Sequence, residues 1–181
     1  MNNDKILSFF IAIDVETTGV DINKDKIIEI GAVKFEKGRR SETFHKLINP
    51  GIPIPYYPTK ITGIDDSMVK NAPFFSDIAE ELTDFIGDHH LVGHNIKTFD
   101  FKFLEKELDM SLNNQIVDTL PMSRKTFPEL KNHKLSTLME NLNIKTSSHR
   151  ALGDAINAGI LYILIMIRKE EIKMANKKLA E

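Results

Sequence analysis

Asp14 and Glu16 stand one residue apart in the stretch AIDVETTG, directly after the apolar run of residues 7–13. Residues two apart on a strand point to the same face, so both carboxylates share one side at the edge of a hydrophobic core. Unpaired charge there is costly, and a divalent cation is the usual remedy. Ligation by carboxylates alone selects the hard ions Mg²⁺ or Mn²⁺. The alternative is an exposed strand end that happens to be acidic, and the apolar strand leading into the pair weighs against it. Thr17, Thr18 and Gly19 follow at once, as a plain turn or as backbone that lets a ligand approach closely. A second cluster, residues 124–134 (RKTFPELKNHK), sets four Lys/Arg against one acid. It reads as a patch for phosphates or as a solvated charged face.

These residues need elements to carry them. Residues 7–14 read as a first strand ending at Asp14, 26–35 as a second and 40–48 as a third, with a tight turn at Lys37-Gly38 making an antiparallel meander. Residues 49–63 hold four of the seven prolines and read as an extended loop without an element of its own. Apolar residues at Phe75, Ile78, Leu82 and Phe85 have helical spacing. Residues 91–93 and 115–118 read as the fourth and fifth strands. Helices are expected over 101–108, 120–127 and 135–142, the last with Ser136 as N-cap. From Arg150 onward the chain reads as one long helix, apolar through Ile167 and then charged. Strands first, then strands alternating with helices, predict an α/β fold: a mixed five-stranded sheet covered by helices. One domain is expected over residues 1–181, with a core at about 7–168 and a charged tail at 169–181.

Composition sets outer limits. The 181 residues are 41% hydrophobic and 28% charged, with a formal net charge of −2. No global field draws the chain toward a polyanion, so a nucleic acid would be held locally, at a metal or a small basic patch. Without cysteine there is no disulfide, thiolate metal site or cysteine nucleophile, which suits a reducing cytoplasm. The longest apolar run, residues 159–167, is about half of what a membrane span needs, so no membrane partner is expected.

Three stretches carry a family resemblance. Asp14-Val-Glu-Thr-Thr-Gly19 resembles the first motif of the DEDD exonucleases, in the subgroup with a motif histidine. Gly93-His-Asn-Ile-Lys-Thr-Phe-Asp100 resembles the second, and His149-Arg-Ala-Leu-Gly-Asp154 the third. Residues 61–73 and 118–138 agree as well, so the resemblance runs from about Phe10 to about Leu164. It is to the proofreading subunits and built-in exonuclease domains of bacterial replicative polymerases. The second motif departs from the family pattern by one additional residue between His94 and Asp100, in the loop before the helix. Asp100 keeps its Phe-Asp-x-x-Phe-Leu setting.

The resemblance implies a ribonuclease H-like fold and metal-dependent removal of nucleotides from the 3′ end of DNA, with RNA as an alternative substrate. It implies two divalent cations, Mg²⁺ or Mn²⁺, held by Asp14, Glu16, Asp100 and Asp154, with His149 as general base. It also implies contacts of Thr17, Thr18, Gly19, Ile64, His94 and Asn95 with the substrate. His94 competes with His149 as the base; His45, His89, His90 and His133 read as surface or core histidines. A DNA polymerase is the expected protein partner. Against a docked subunit stand the single glutamine, Gln115, in a strand pattern and a short mixed-charge tail after the last helix.

Overall fold

The structure is a computed structural model and describes residues 5–144 and 149–180. Five strands form one sheet in the order β3-β2-β1-β4-β5. β1 (Phe9–Thr17), β2 (Ile27–Glu36) and β3 (Arg39–Leu47) are the antiparallel meander, and β4 (Leu91–Gly93) and β5 (Ile116–Asp118) add in parallel beyond β1. The expected mixed sheet is the one observed.

The period-two pattern of β1 divides the core between two faces. Ile11, Ile13 and Val15 pack with Ile78 and Leu82 of α3 (Phe75–Ile86) and with Phe101 and Leu104 of α4 (Asp100–Leu108). Phe10 and Ala12 face the other way, joining Val33 and Phe35 of β2 under Ala155, Tyr162 and Met166 of α7 (Ala151–Ala180). Asp14 and Glu16 continue the second series, so they lie on the face where α7 begins. By length and composition α7 is able to cross a membrane, but half of its apolar stretch is buried within the fold.

Three expectations are corrected. β1 does not stop at Asp14: Asp14, Val15 and Glu16 pair with Gly31, Ile30 and Glu29 of β2, so the acids lie within a paired strand. The proline-rich segment is not element-free. It contains α1 (Tyr56–Thr62), with Pro58 in the first turn, where a missing N–H removes no intrahelical bond. Gly63 ends α1 at φ 72 and donates its N–H to Thr59 O, and a short α2 (Asp66–Val69) follows. Ser136 is not an N-cap; it lies inside α6 (Leu135–Asn141), whose cap position is Lys134. α5 (Thr119–Thr126) and α6 close over α7 through Phe127, Leu138, Leu161 and Ile165.

Candidate active site

Two backbone facts bring the acids together. Gly31 lies opposite Asp14 in the β1–β2 register, and a Cβ on it would stand 2.2 Å from Leu152 N. The missing side chain lets the start of α7 rest directly on the sheet, which brings Asp154 beside Asp14 and Glu16. Ligand oxygens of Asp14, Glu16 and Asp154 all lie within 4.8 Å of one another. The second fact concerns the N–H groups of β1 that face β4. Ile11 N–H goes to His90 O, but Val15 lies beyond the last β1–β4 pair at Ala12–Val92. Its N–H is taken at 3.0 Å by Asp100 Oδ1, from the first turn of α4. Asp100 is buried and adjoins the triad without belonging to the tight group of three.

The electrostatics are those of crowded, buried carboxylates. Burial raises Asp14 well above the ordinary carboxylate range, and the charges of Asp100, Glu16 and Asp154 add to it. Burial, then Asp154 and Glu29, push Glu16 up to about 7. Asp100 is also pushed up to about 7 by burial, against the bond from Val15. Burial raises Asp154, with Asn157 opposing. Protons resist leaving a cluster of this kind, and hard cations relieve it. The donor set therefore fits Mg²⁺ or Mn²⁺.

The two competing histidines differ in their bonding. His94 is tied at both ring nitrogens: Nε2 lies 2.8 Å from His133 O, so it donates, and Nδ1 lies 2.9 Å from Thr119 Oγ1. Burial holds His94 below its ordinary range, in keeping with a neutral ring. His149 is exposed and sits two residues before α7 at φ 60, a conformation that a side-chain-bearing residue seldom adopts outside functional sites and turns. With Asp14, Asp154, Asn157, His94 and Lys134 it lines a cavity of about 220 Å³. Residues 145–148, just before His149, lie outside the described residues.

The residues expected at the substrate are spread more widely. Thr17 is buried, its hydroxyl donating to Gly19 O at 2.5 Å. Thr18 donates to Asp25 Oδ1 and accepts from Lys26 N–H, both at 3.0 Å. A Cβ on Gly19 would meet the Asp25 carboxylate at 2.4 Å, so the close neighbour that excludes a side chain there is this aspartate. Ile64 is fully buried with Ile28, Ile54 and Val69. Asn95, at φ 68, donates its N–H to Asp118 Oδ1 and absorbs the turn of the lengthened loop. With His94, Arg124, Lys131 and Lys134 it lines a second cavity, of about 580 Å³. The two cavities share His94, Lys134 and Leu135.

Sequence reasoning missed Asn157, Glu29 and the role of Arg150. Glu29 was open to the argument applied to Asp14: an acid inside the apolar run Ile27-Ile-Glu-Ile-Gly-Ala-Val33 must have a reason to be there.

Comparison with known proteins agrees with this geometry. The family model described as Exonuclease matches residues 11–162. The chain belongs to the exonuclease family. Among relatives of this exonuclease chain, the PolC-type DNA polymerase III of Caldanaerobacter subterraneus subsp. tengcongensis is 40% identical over 90% of it, yet it spans only 12% of that protein. The DNA polymerase III subunit epsilon of Aquifex aeolicus is 34% identical, over 92% of this chain and 84% of the relative. The 3′-5′ exonuclease DinG of Bacillus subtilis is 37% identical over 90% of this chain and 18% of its own length. Among solved structures, Exonuclease X in complex with 5′ overhanging duplex DNA superposes with a TM-score of 0.73 at 25% identity, over 87% of this chain and 91% of that one. The exonuclease fold thus carries an acidic cluster able to bind metal.

Proposed function

We propose that this chain is a metal-dependent 3′→5′ exonuclease that hydrolyses the terminal phosphodiester of DNA and releases nucleoside 5′-monophosphates in the cytoplasm. The observation that carries the reading is the convergence of Asp14, Glu16 and Asp154 within 4.8 Å, with Asp100 adjoining and His149 on the same cavity wall. The DinG relative, named a 3′-5′ exonuclease, supports the polarity. Asp14, Glu16, Asp100 and Asp154 would hold two divalent cations, Mg²⁺ or Mn²⁺. Such ions supply activation of a water and stabilisation of the leaving 3′ oxygen.

His149 takes the proton of the attacking water as the new P–O bond forms and the bond from phosphorus to the upstream 3′ oxygen breaks. An exposed imidazole on the cavity wall can take a proton at a ring nitrogen. His94, with both nitrogens engaged, orients the wall of the cavity instead. Thr17, Thr18 and Gly19 act on the substrate indirectly, by fixing the backbone at the end of β1, and Ile64 by anchoring the α1–α2 segment on Ile28 of β2, while Asn95 borders the path of the strand. The cations Arg124, Lys131 and Lys134 form no ion pair among the described residues and line the larger cavity. They are the groups for phosphates upstream of the cleaved bond.

The test is a digestion ladder on 5′-labelled single-stranded DNA, mispaired primer–template and single-stranded RNA, each with Mg²⁺, Mn²⁺ or chelator. Stepwise shortening of DNA that stops with chelator, and is lost in Asp14→Ala, is expected. Shortening by the folded Asp14→Ala variant at the wild-type rate would refute the metal site, and preference for RNA would reassign the substrate. A second reading is proofreading within a polymerase assembly, supported by the relation to PolC and epsilon. Stoichiometric capture by the polymerase catalytic subunit would establish it.

A further inference from the structure

Glu29 is completely buried and lies directly opposite Glu16 in the β1–β2 register, so both point to the α7 side of the sheet. Burial pushes its carboxyl up, but the hydrogen bonds around it prevail and hold it below its ordinary range. Arg150 Nε stands 2.9 and 3.1 Å from its two oxygens, and Arg150 Nη2 adds a further short contact. The N–H of Ala151, first residue of α7, donates to Oε2 at 2.9 Å. His45 Nε2, from β3, lies 2.8 Å from Oε1. One carboxylate thus joins β2, β3 and the start of α7 across about a hundred and twenty residues of chain. The residues on either side of this anchor are His149 and, one helical turn on, Asp154. The charge of Glu16, which lies opposite Glu29 on the same face, also reaches the Arg150 guanidinium.

We propose that Glu29 is a positioning residue for the metal cluster: it pins Arg150 and the first N–H of α7, which sets Asp154 against Asp14, and it holds the Arg150 guanidinium away from Glu16, leaving that carboxylate free for a cation. The inference rests on the metal-binding reading of the acid triad. Every contact to Glu29 comes from a donor, so an amide in its place would present an NH₂ group to another donor and release Arg150 toward Glu16. Partners of this kind behind metal ligands are worth about 10–100-fold in metal affinity.

The test is Mn²⁺ binding by calorimetry, without DNA, on wild type, Glu29→Gln, Arg150→Lys and the double variant Glu29→Gln/Arg150→Met, with melting temperature recorded alongside. Glu29→Gln should bind Mn²⁺ about 10–100-fold more weakly, and the double variant should regain part of that loss because the released cation is gone. Arg150→Lys keeps the charge but loses the fork, and should weaken binding as well; it carries the test if Glu29→Gln does not fold. A folded Glu29→Gln or Arg150→Lys with wild-type Mn²⁺ affinity, whatever its melting temperature, would show the pair to be structural only. A double variant no better than Glu29→Gln would overturn the shielding of Glu16. Wild-type protein that binds no Mn²⁺ would bring down the metal reading itself, whereas wild-type binding with unaffected variants would remove this inference alone.

Discussion

His149 and His94 both border the acid cluster, and their hydrogen bonds separate them. An exposed ring beside Asp154 is available to a proton, whereas a ring bonded at both nitrogens is not. His149→Ala is expected to lower the cleavage rate about 10²–10⁴-fold with little change in melting temperature. His94→Ala should lower the melting temperature, because it leaves His133 O without its donor and removes the ring's bond to Thr119. Rates and melting curves on both variants would test the assignment, and a larger rate loss at His94 would reverse it. The four acids make a second prediction at this scale. Their folded-state pKa values are raised, Glu16 and Asp100 to about 7, so below about pH 4 the folded protein carries no penalty from them. As pH rises from there to about 7, the unfolded chain loses its protons first and stability falls. Melting with chelator should therefore drop between about pH 4 and about pH 7, and saturating Mn²⁺ should remove most of that drop. A metal-free melting temperature that rises over this range would count against an unneutralised cluster.

At the scale of elements, the site depends on how closely α7 approaches β2. Gly31 permits that approach, with the backbone of residues 151 and 152 where its Cβ would be. Gly31→Ala should cost about 1–3 kcal/mol by overpacking, read by urea unfolding, and should weaken Mn²⁺ binding because Asp154 moves with α7. Unfolding and Mn²⁺ affinity both unchanged would mean that α7 accommodates the methyl group without shifting the acid. β1 contributes differently. Its alternation sends Phe10, Ala12, Asp14 and Glu16 to one face, so the same strand supplies the core beneath α7 and the ligands at its end. The short length of β4 matters as well, since a longer β4 would pair with Val15 and leave Asp100 without the N–H that fixes it.

Over the whole molecule, charge is nearly balanced, with a net −2, while the cavity leading from the acids is lined by Arg124, Lys131 and Lys134. Attraction for a nucleic acid is then local and sensitive to salt. For single-stranded DNA, the logarithm of kcat/KM should fall with the logarithm of salt by about 0.7 per phosphate contact. Arg124→Ala/Lys131→Ala should flatten that slope and raise KM with little effect on kcat. An unaltered slope would make the basic cluster a solvated face after all.

The sequence by itself determined the acids, their order and the elements that carry them. Period-two and helical spacing are local properties of the chain, so β1 to β5 and the long last helix were legible within a few residues. The Asp-x-Glu pair was legible because charge beside an apolar strand needs a reason. Helix α1 was not, because four prolines read as a loop unless one knows that Pro58 falls in a first turn where no bond is lost. Nor was the difference between the histidines, since the partners of His94, Thr119 and His133, lie 25 and 39 residues away. Only the tertiary structure decided which acids converge within 4.8 Å, and that Glu29, Arg150 and Gly31 hold them there. Those facts depend on the distance between a helix and a sheet, which packing sets between residues more than a hundred positions apart.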